Sequence, residues 1–274
     1  MFATMKNNFC IYTAIMGDYD TLMEPKVITK GWDYICITNN KKIKEKSGSV
    51  WKVFYTEDRK LSDSKLARKC KMLFWEMSVL KFRRYSVNIW HDANIQINCD
   101  LNKFIEKRND DFYIMSHPDR VNALDEVNFC IKRKKSDERI IQKQMQQYIK
   151  DGFPDNIGLC ASGLMIRRDT PAVRRLMKLW FDQVLKYSER DQVSFNYALW
   201  KRPTQVNYIP FNTIITKFIK RAHKKLFEER KKAIEQDIEK ILIGFINDHK
   251  ILNLSISPFN SLDGSIDTKI SYEI

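Results

Sequence analysis

Asp92 and Asn94 are the two residues of this chain whose types and spacing lend themselves most directly to chemistry. They close an apolar run, Asn88-Ile-Trp-His-Asp-Ala-Asn-Ile95. On extended backbone, side chains two apart point the same way. A carboxylate and a carboxamide placed so offer two hard oxygens to one Mg²⁺ or Mn²⁺, cations that prefer oxygen donors. The same pair also suits an ordinary strand end, where Asp and Asn hydrogen-bond to nearby backbone groups. A second candidate group lies upstream. Ser62 or Asp63 starts a helical pattern reaching about Met77, whose apolar stripe is Leu66, Cys70, Leu73, Phe74 and Met77. Lys65, Arg68, Lys69 and Lys71 fall off that stripe. A helix N-terminus with cations beside it attracts phosphate, although a solvated basic face reads the same way.

The elements that must position these groups alternate between strand and helix, which predicts an α/β domain with a mainly parallel sheet. Strands are expected at Phe9 to Ile15, Tyr34 to Thr38, Trp51 to Tyr55, Val87 to Trp90, Phe112 to Met115 and Leu159 to Ile166. Helices are expected at Asp137 to Lys150, Ala172 to Tyr187 and Asp191 to Leu199, the last stopped by Pro203. From Thr213 the character changes. Ile215, Phe218, Ala222, Leu226, Ile234, Ile238, Ile241 and Phe245 recur at helical spacing among lysines and arginines. This predicts a basic helical extension over 213–274 beside a catalytic domain over 1–212, with an irregular tail after Leu254. The basic face of 213–245 suits peripheral contact with an anionic membrane or a partner protein.

Composition narrows the functional classes. A hydrophobic content of 43% suffices for a core. No run approaches the roughly 18 apolar residues that cross a bilayer, and Met1 to Cys10 holds no apolar stretch of signal-peptide length. A cytoplasmic location is therefore the expectation. The six cysteines include no Cys-x-x-Cys pair, which disfavours a zinc site. The net charge of +14 favours polyanionic partners, yet no zinc finger, RNA-binding aromatic motif or basic heptad array is present, so nucleic acid is not expected.

Several stretches together resemble a known family: Tyr12 to Asp20, Trp32 to Thr38, Leu61 to Leu73, Trp90 to Ile95, Ala161 to Ile166 and Arg190 to Asn196. They resemble the glycosyltransferase-like domain first catalogued as a domain of unknown function, found in bacterial polysaccharide loci and in plants. More distantly, the chain is similar to retaining GT-A transferases of family 8. The resemblance implies a GT-A fold, a nucleotide-diphosphate sugar donor, a glycan acceptor in capsule or lipopolysaccharide synthesis, and retaining stereochemistry. It places Asp18 and Tyr19 at the nucleotide, and Asp92 with Asn94 at the metal, where Asn replaces a second Asp. It matches Gly163 to the glycine of an Asn-x-Gly strand, with Ala161 in place of the Asn. Asp191 and Gln192 match the first two residues of an Asp-Gln-Asp signature whose third is Val193. The family 8 metal histidine has no counterpart in context, since only His223 and His249 lie beyond Asp191.

With that chemistry, Lys65 is expected at the donor's diphosphate, Arg68 either there or holding Asp92 in place, and Asp191 at a sugar, where it takes a hydroxyl hydrogen bond or stabilises oxocarbenium-like charge. Asp191 equally suits a helix N-cap. Ala161-Ser162-Gly163 removes side-chain bulk so that a sugar approaches, or so that a helix packs. His117, followed by Pro118, Asp119 and Arg120, is placed to reach the acceptor or the metal. Two other readings stay open: a GT-A-like module that binds without catalysing, favoured by Ala161 and Val193, and a basic nucleic-acid-binding protein.

Overall fold

The computed structural model describes residues 8–80, 85–154, 156–221, 223–249, 253–260 and 266–273. Met1 to Asn7 and Ala222, which enter the terminal and helical expectations, lie outside them. The chain divides into two compact units, Met1–Lys224 and Lys225–Ile274.

The first unit is built on strands β1 (Phe9–Ile15), β2 (Trp32–Thr38) and β3 (Trp51–Tyr55), followed by helix α1 (Asp63–Met72) and β4 (Val87–His91). β5 (Ile95–Ile97), α2 (Leu101–Ile105), β6 (Phe112–Ser116), α3 (Ala123–Lys132) and α4 (Glu138–Lys150) come next. β7 (Cys160–Arg168), α5 (Pro171–Lys186), α6 (Asp191–Lys201), β8 (Asn207–Ile209), α7 (Phe211–Ile214) and β9 (Phe218–Lys220) complete it. Seven strands form one sheet in the order β3-β2-β1-β4-β7-β6-β8. Its pairs are parallel except where β7 runs antiparallel between β4 and β6. β2 is buried along its whole length, as the apolar run Trp32 to Thr38 demands of an interior parallel strand. The expected α/β architecture with a mainly parallel sheet and flanking helices is what the chain adopts.

Side chains from the two faces of the sheet form separate cores. One joins Tyr12, Trp90 and Met165 to the stripe of α1 and to Trp180, Phe181 and Phe195 of α5 and α6. The other joins Ile11, Ile89 and Leu164 to Leu101, Phe104, Ile214 and Phe218. A third cluster packs α3 and α4 against α6, with Tyr148 and Tyr197 stacked at 3.7 Å and 6°.

Two departures from the sequence expectations have clear causes. Helix α1 stops at Met72 and not at Met77, and the chain turns through Phe74–Glu76 in a tighter helical turn. The carbonyl of Lys71, in its last turn, accepts instead from the Tyr12 hydroxyl at 2.7 Å and from Arg167 at 2.9 Å. Residues 213–223 are not one helix: β9 interrupts them by pairing antiparallel with β5, Ile97 opposite Phe218. That pairing keeps residues up to Lys224 in the first unit.

The second unit holds helix α8 (Lys224–His249) and strands β10 (Asn253–Asn260) and β11 (Ile266–Glu273), which pair antiparallel. The expectation of an irregular tail after Leu254 is thus corrected to a two-stranded ribbon; alternation such as Ile266-Asp-Thr-Lys-Ile-Ser-Tyr carries the period of two that strands require. Along α8, Ile234, Ile238 and Ile241 are exposed. Among the described residues no helix is long and apolar enough to cross a membrane.

Candidate functional site

The ends of β1 and β4, the start of the antiparallel β7, helix α1 and the start of α6 meet where the candidate residues converge. At the β1 end, Gly17 adopts φ +57°, and a Cβ there would stand 2.6 Å from an Asp63 carboxylate oxygen. Only glycine permits both the left-handed backbone and that approach. Asn39 ties the corner together, accepting from Gly17 N at 2.7 Å and donating to Asp63 at 2.7 Å. Asp18 beyond it is exposed, with Asn40 at 3.0 Å and Lys42 at 3.5 Å. Tyr19 is partly exposed and lies 4.9 Å, ring to ring, from His223. His223 Nδ1 in turn sits 2.6 Å from Asp20, whose other oxygen accepts from Lys224 N. His223 therefore stands beside Tyr19 and Asp20 despite lacking the family 8 sequence context.

Asp191 is the centre of the site. It is the first residue inside α6, while Arg190 occupies the cap position, so its carboxylate is not the N-cap that the sequence allowed. The side chain is 4% exposed; Oδ2 accepts from Lys71 Nζ at 2.6 Å and from the Ser162 hydroxyl at 3.0 Å, and Arg68 Nε stands 3.3 Å away as an ion pair that is not aligned as a hydrogen bond. Burial alone would raise this carboxyl's pKa, but Arg68, Lys71 and Arg190 override it and hold the group far below the usual carboxylate range. Trp180 Nε1 donates to the Asp191 carbonyl at 2.9 Å and fixes the start of the helix.

The sequence puts Lys71 off the apolar stripe, where a phosphate-facing and a solvated position read alike. Lys71 is instead 1% exposed, bonded to Ser162 at 2.9 Å as well as to Asp191, 3.7 Å from Asp92, and 5.5 Å from the Trp90 ring centroid. Helical phase explains this. Arg68 and Lys71, three apart, share one flank of the apolar stripe, whereas Lys65 and Lys69, four apart, share the other. The first flank faces the sheet ends. On the second, Lys69 pairs with Asp58 at 2.8 Å, and Lys65 donates to the Leu185 carbonyl at 3.2 Å. The structure thus directs Lys65 away from the cluster around Asp191, a correction to its expected place at a diphosphate.

β4 ends at His91, and Asp92 to Asn94 form a turn closed by Ile95 N on Asp92 O at 2.9 Å. The premise of extended backbone holding both side chains on one face is therefore corrected. The Asp92 side chain is 34% exposed, and Oδ1 accepts from Trp90 Nε1 at 3.1 Å. Asn94 is buried; its Nδ2 donates to the Arg221 carbonyl at 2.8 Å, and Arg221 N donates to the Asn94 carbonyl at 2.8 Å. Its Oδ1 is buried and has no hydrogen-bond partner among the described residues. Such an orphaned oxygen beside an open carboxylate suits a hard cation. No cluster of three or more His, Cys, Asp or Glu that could hold a metal occurs among the described residues. The donor set fits a Mg²⁺ or Mn²⁺ that brings phosphate oxygens of its own, and does not fit one gripped by protein alone.

Gly163 serves this turn. Its carbonyl accepts from Asp92 N at 2.8 Å, and a Cβ on it would meet Asp92 Oδ2 at 3.2 Å and Ile95 and Met115 at 3.3 Å. Gln192 donates to the Cys160 carbonyl at 3.1 Å and accepts from Arg190 at 3.3 Å, so it braces β7 against α6. His117 stands apart from the Asp191 cluster, contacting Arg120. Sequence reasoning overlooked Lys71 as a buried group and gave Arg190 no role; it named Arg120 only beside His117, and His223 only as lacking the family 8 context. The three-residue spacing to Arg68 signals the first; the others become neighbours only through the fold.

The TOD1/MUCI70 glycosyltransferase-like domain family matches residues 2–231. The chain is 23% identical over 212 residues to the probable hexosyltransferase MUCI70 of Arabidopsis thaliana, covering 73% of this chain and 34% of that protein. It thus spans about a third of that relative's length. Among solved structures, the apo form of the bifunctional glycosyltransferase WbbM superposes with a TM-score of 0.43 at 12% identity, over 76% of this chain and 40% of that one. Apo mouse xyloside xylosyltransferase 1 does so with a TM-score of 0.42 at 8% identity, over 75% and 85%. With 2–231 matched, the chain belongs to the TOD1/MUCI70 glycosyltransferase-like domain family.

Proposed function

We propose that this chain is a glycosyltransferase that moves a sugar from a nucleotide-diphosphate donor to a glycan acceptor in capsule or lipopolysaccharide synthesis, with retention at the anomeric carbon. The observation that carries this reading is the buried Lys71, held between Asp191, Ser162 and Asp92 in a chain of glycosyltransferase-like family. Departure of a nucleoside diphosphate places growing negative charge on its phosphates, and catalysis depends on meeting that charge with prearranged cations. Lys71 and Arg68 are fixed in advance by Asp191 and so need no reorganisation as the bond breaks. Asp191 stays ionised at neutral pH because those cations hold its pKa down. It does not act as a general base, which needs a pKa near the working pH. All three of its named contacts reach Oδ2, so Oδ1 is the edge offered to a sugar hydroxyl or to positive charge on the ring. Tyr19 and Asp18 receive the nucleoside, and Ser162 and Gly163 form the low wall along which the donor sugar lies.

Asp92 and the orphaned Oδ1 of Asn94 are the groups that would hold a Mg²⁺ or Mn²⁺, which when bound supplies Lewis-acid neutralisation of the diphosphate. The second unit is proposed as the surface for an anionic membrane or a partner protein, the protein remaining on the cytoplasmic side; the acidic residues of α8, six against six Lys and Arg, weigh toward a protein partner. Calorimetry of nucleoside diphosphates with and without Mn²⁺, paired with an assay of slow donor hydrolysis, tests the reading. Nucleotide binding together with hydrolysis is expected. Binding without hydrolysis or transfer would favour the non-catalytic module, a reading for which Ala161 and Val193 speak.

A further inference from the structure

The corner formed by residues 117–135, between β6 and α4, gathers cations around a single buried carboxylate. Glu126 is fully buried; Oε2 accepts from Arg120 Nε at 2.5 Å and Oε1 from Arg190 Nη2 at 3.1 Å. Lys135 is the third cation. Its Nζ lies 4.8 Å from the Phe129 ring centroid, and the Arg120 guanidinium lies 4.0 Å from the same ring. Burial first, and then Arg190, push the Lys135 ammonium's pKa down, as expected where positive charge is in surplus. The charge of Glu126 is thus divided between two arginines, with a lysine beside them, and a half-buried surplus of this kind is stabilised by an incoming anion.

Two donors in this corner lack acceptors. Arg190 Nε is buried with no hydrogen-bond partner among the described residues. His117 Nδ1 lies 3.1 Å from Asp119 N and 3.0 Å from Arg120 N, and Nε2 faces Arg120 Nη2 at 2.8 Å. Since a neutral ring accepts at one nitrogen only, in either tautomer one ring N–H faces a donor. An anionic oxygen entering there would accept from both and relieve the conflict.

Position identifies which substrate would bring the anion. Arg190 directly precedes Asp191, so the corner adjoins the sugar-facing carboxylate. The nucleoside residues follow β1, whereas His117 and Arg120 follow β6, with β4 and β7 between them in the sheet. At about 4.8 Å per strand spacing, the two strand ends lie roughly 14 Å apart, room for the donor sugar between base and corner. We infer that Arg120, Lys135, Arg190 and His117 form an acceptor subsite for an anionic substituent, a carboxylate or a phosphate carried by the glycan. The inference rests on the transferase reading and adds the acceptor's charge to it.

The test is calorimetric titration of the intact chain with a hexuronate oligosaccharide, its carboxyl-reduced neutral counterpart and a glycerol-phosphate oligomer, with a nucleoside diphosphate titrated in parallel. Binding of the hexuronate alone assigns a carboxylate and binding of the phosphate oligomer alone assigns a phosphate, with the neutral glycan bound about tenfold or more weakly, since each charge-assisted hydrogen bond adds appreciably. Lys135→Gln, an exposed change that leaves the core intact, and Arg120→Gln should each weaken anionic binding about tenfold and leave nucleotide affinity unchanged. Equal binding of charged and neutral oligosaccharides, binding of none of them, or anionic binding indifferent to both variants overturns the subsite. So does loss of anionic-liposome binding in the variants without loss of glycan binding, which would make the corner a membrane contact. A chain that binds nucleotide but shows one of these results loses this inference alone; one that does not bind nucleotide loses the transferase reading.

Discussion

Lys69 and Lys71 are two residues apart on α1, and they end in opposite surroundings. Lys69 reaches Asp58 at the rim with 34% of its side chain exposed, while Lys71 is 1% exposed and inserted among Asp191, Ser162 and Asp92. The difference lies in helical phase. A pair at the surface is screened by water and loses side-chain entropy on ordering, so it contributes little. A buried lysine gives up hydration that only well-placed carboxylates and hydroxyls replace. A protein that keeps such a lysine beside a cleft holds a fixed positive charge ready for an anion, here assigned to the donor's diphosphate. One flank of α1 thus meets solvent, and the other meets the buried carboxylate to which the proposed function gives a role.

The strongest way to break this comparison is Lys71→Met, which keeps the apolar stem and removes the charge. Asp191 would be left buried with Arg68 as its nearest cation. Losing one partner of a buried pair costs about 3–5 kcal/mol, and turnover should fall below detection. Chemical denaturation and a transfer or hydrolysis assay report the two effects. If stability and turnover matched those of Lys69→Gln, the burial of Lys71 would carry no functional meaning.

Asp191→Asn is next in size. Turnover should drop by about tenfold or more with a smaller change in nucleotide affinity, because on the proposed reading the carboxylate acts on the sugar side and in the transition state, while its loss also loosens Lys71 and Arg68. The pH dependence follows from the depressed pKa of Asp191. A group whose pKa is lower in the folded state stabilises above its unfolded value, near 3.9, and loses that contribution as pH falls through the range below it. The stability gap between parent and variant should therefore be full at neutral pH and shrink below about pH 4. A gap independent of pH in urea titrations would remove the Lys71–Asp191–Arg68 charges from the account.

Six of the sheet's seven strands, helices α4, α5 and α6 and the α1 stripe were legible in the sequence because apolar period and turn residues fix them locally, whereas α3 and the short edge strand β8 were not. Asp92, Ser162, Gly163 and Asp191 were legible too, since they fall within motifs of a recognisable order. What escaped depends on the third dimension. Sequence suggested extended backbone from Asp92 to Asn94, but a turn intervenes and β9, from more than a hundred residues away, engages the Asn94 amide through Arg221. By sequence alone, Asn94→Asp adds a second carboxylate and strengthens metal binding. In the folded chain it removes the Nδ2 donor and sets an acid against the Arg221 carbonyl. The ribbon of β10 and β11 was obscured by its many Ser, Asp and Asn residues, which suit turns as readily as a polar strand face.

Asp92→Ala gives the third effect, and its variable is nucleotide binding and not stability, because the side chain is 34% exposed. If Asp92 and Asn94 Oδ1 hold a divalent cation with the donor's phosphates, metal and nucleotide bind cooperatively, with the same coupling factor in both directions. Calorimetry with and without Mn²⁺ should show that coupling in the parent and its loss in Asp92→Ala and, for the reason above, a weakened coupling in Asn94→Asp. Metal-independent affinity in the parent would leave Lys71 and Arg68 as the whole of the diphosphate's neutralisation.

The smallest effects belong to Lys65→Gln and Lys69→Gln, and they sharpen the comparison by what they leave alone. Lys65 donates to the Leu185 carbonyl near the end of α5, and Lys69 pairs with Asp58; neither contact reaches Asp191, Asp92 or Ser162. Glutamine retains a hydrogen-bond donor at each place and deletes only the charge. If the charge of this flank is solvated and screened, turnover should stay within about twofold of the parent. Raising the ionic strength should erase any residual change in nucleotide affinity, since exposed charges beyond about 10 Å are screened at 0.1 M salt. A loss of nucleotide affinity that persists at high salt would mean that Lys65 or Lys69 touches the donor once it is bound, and both flanks of α1 would then belong to the site.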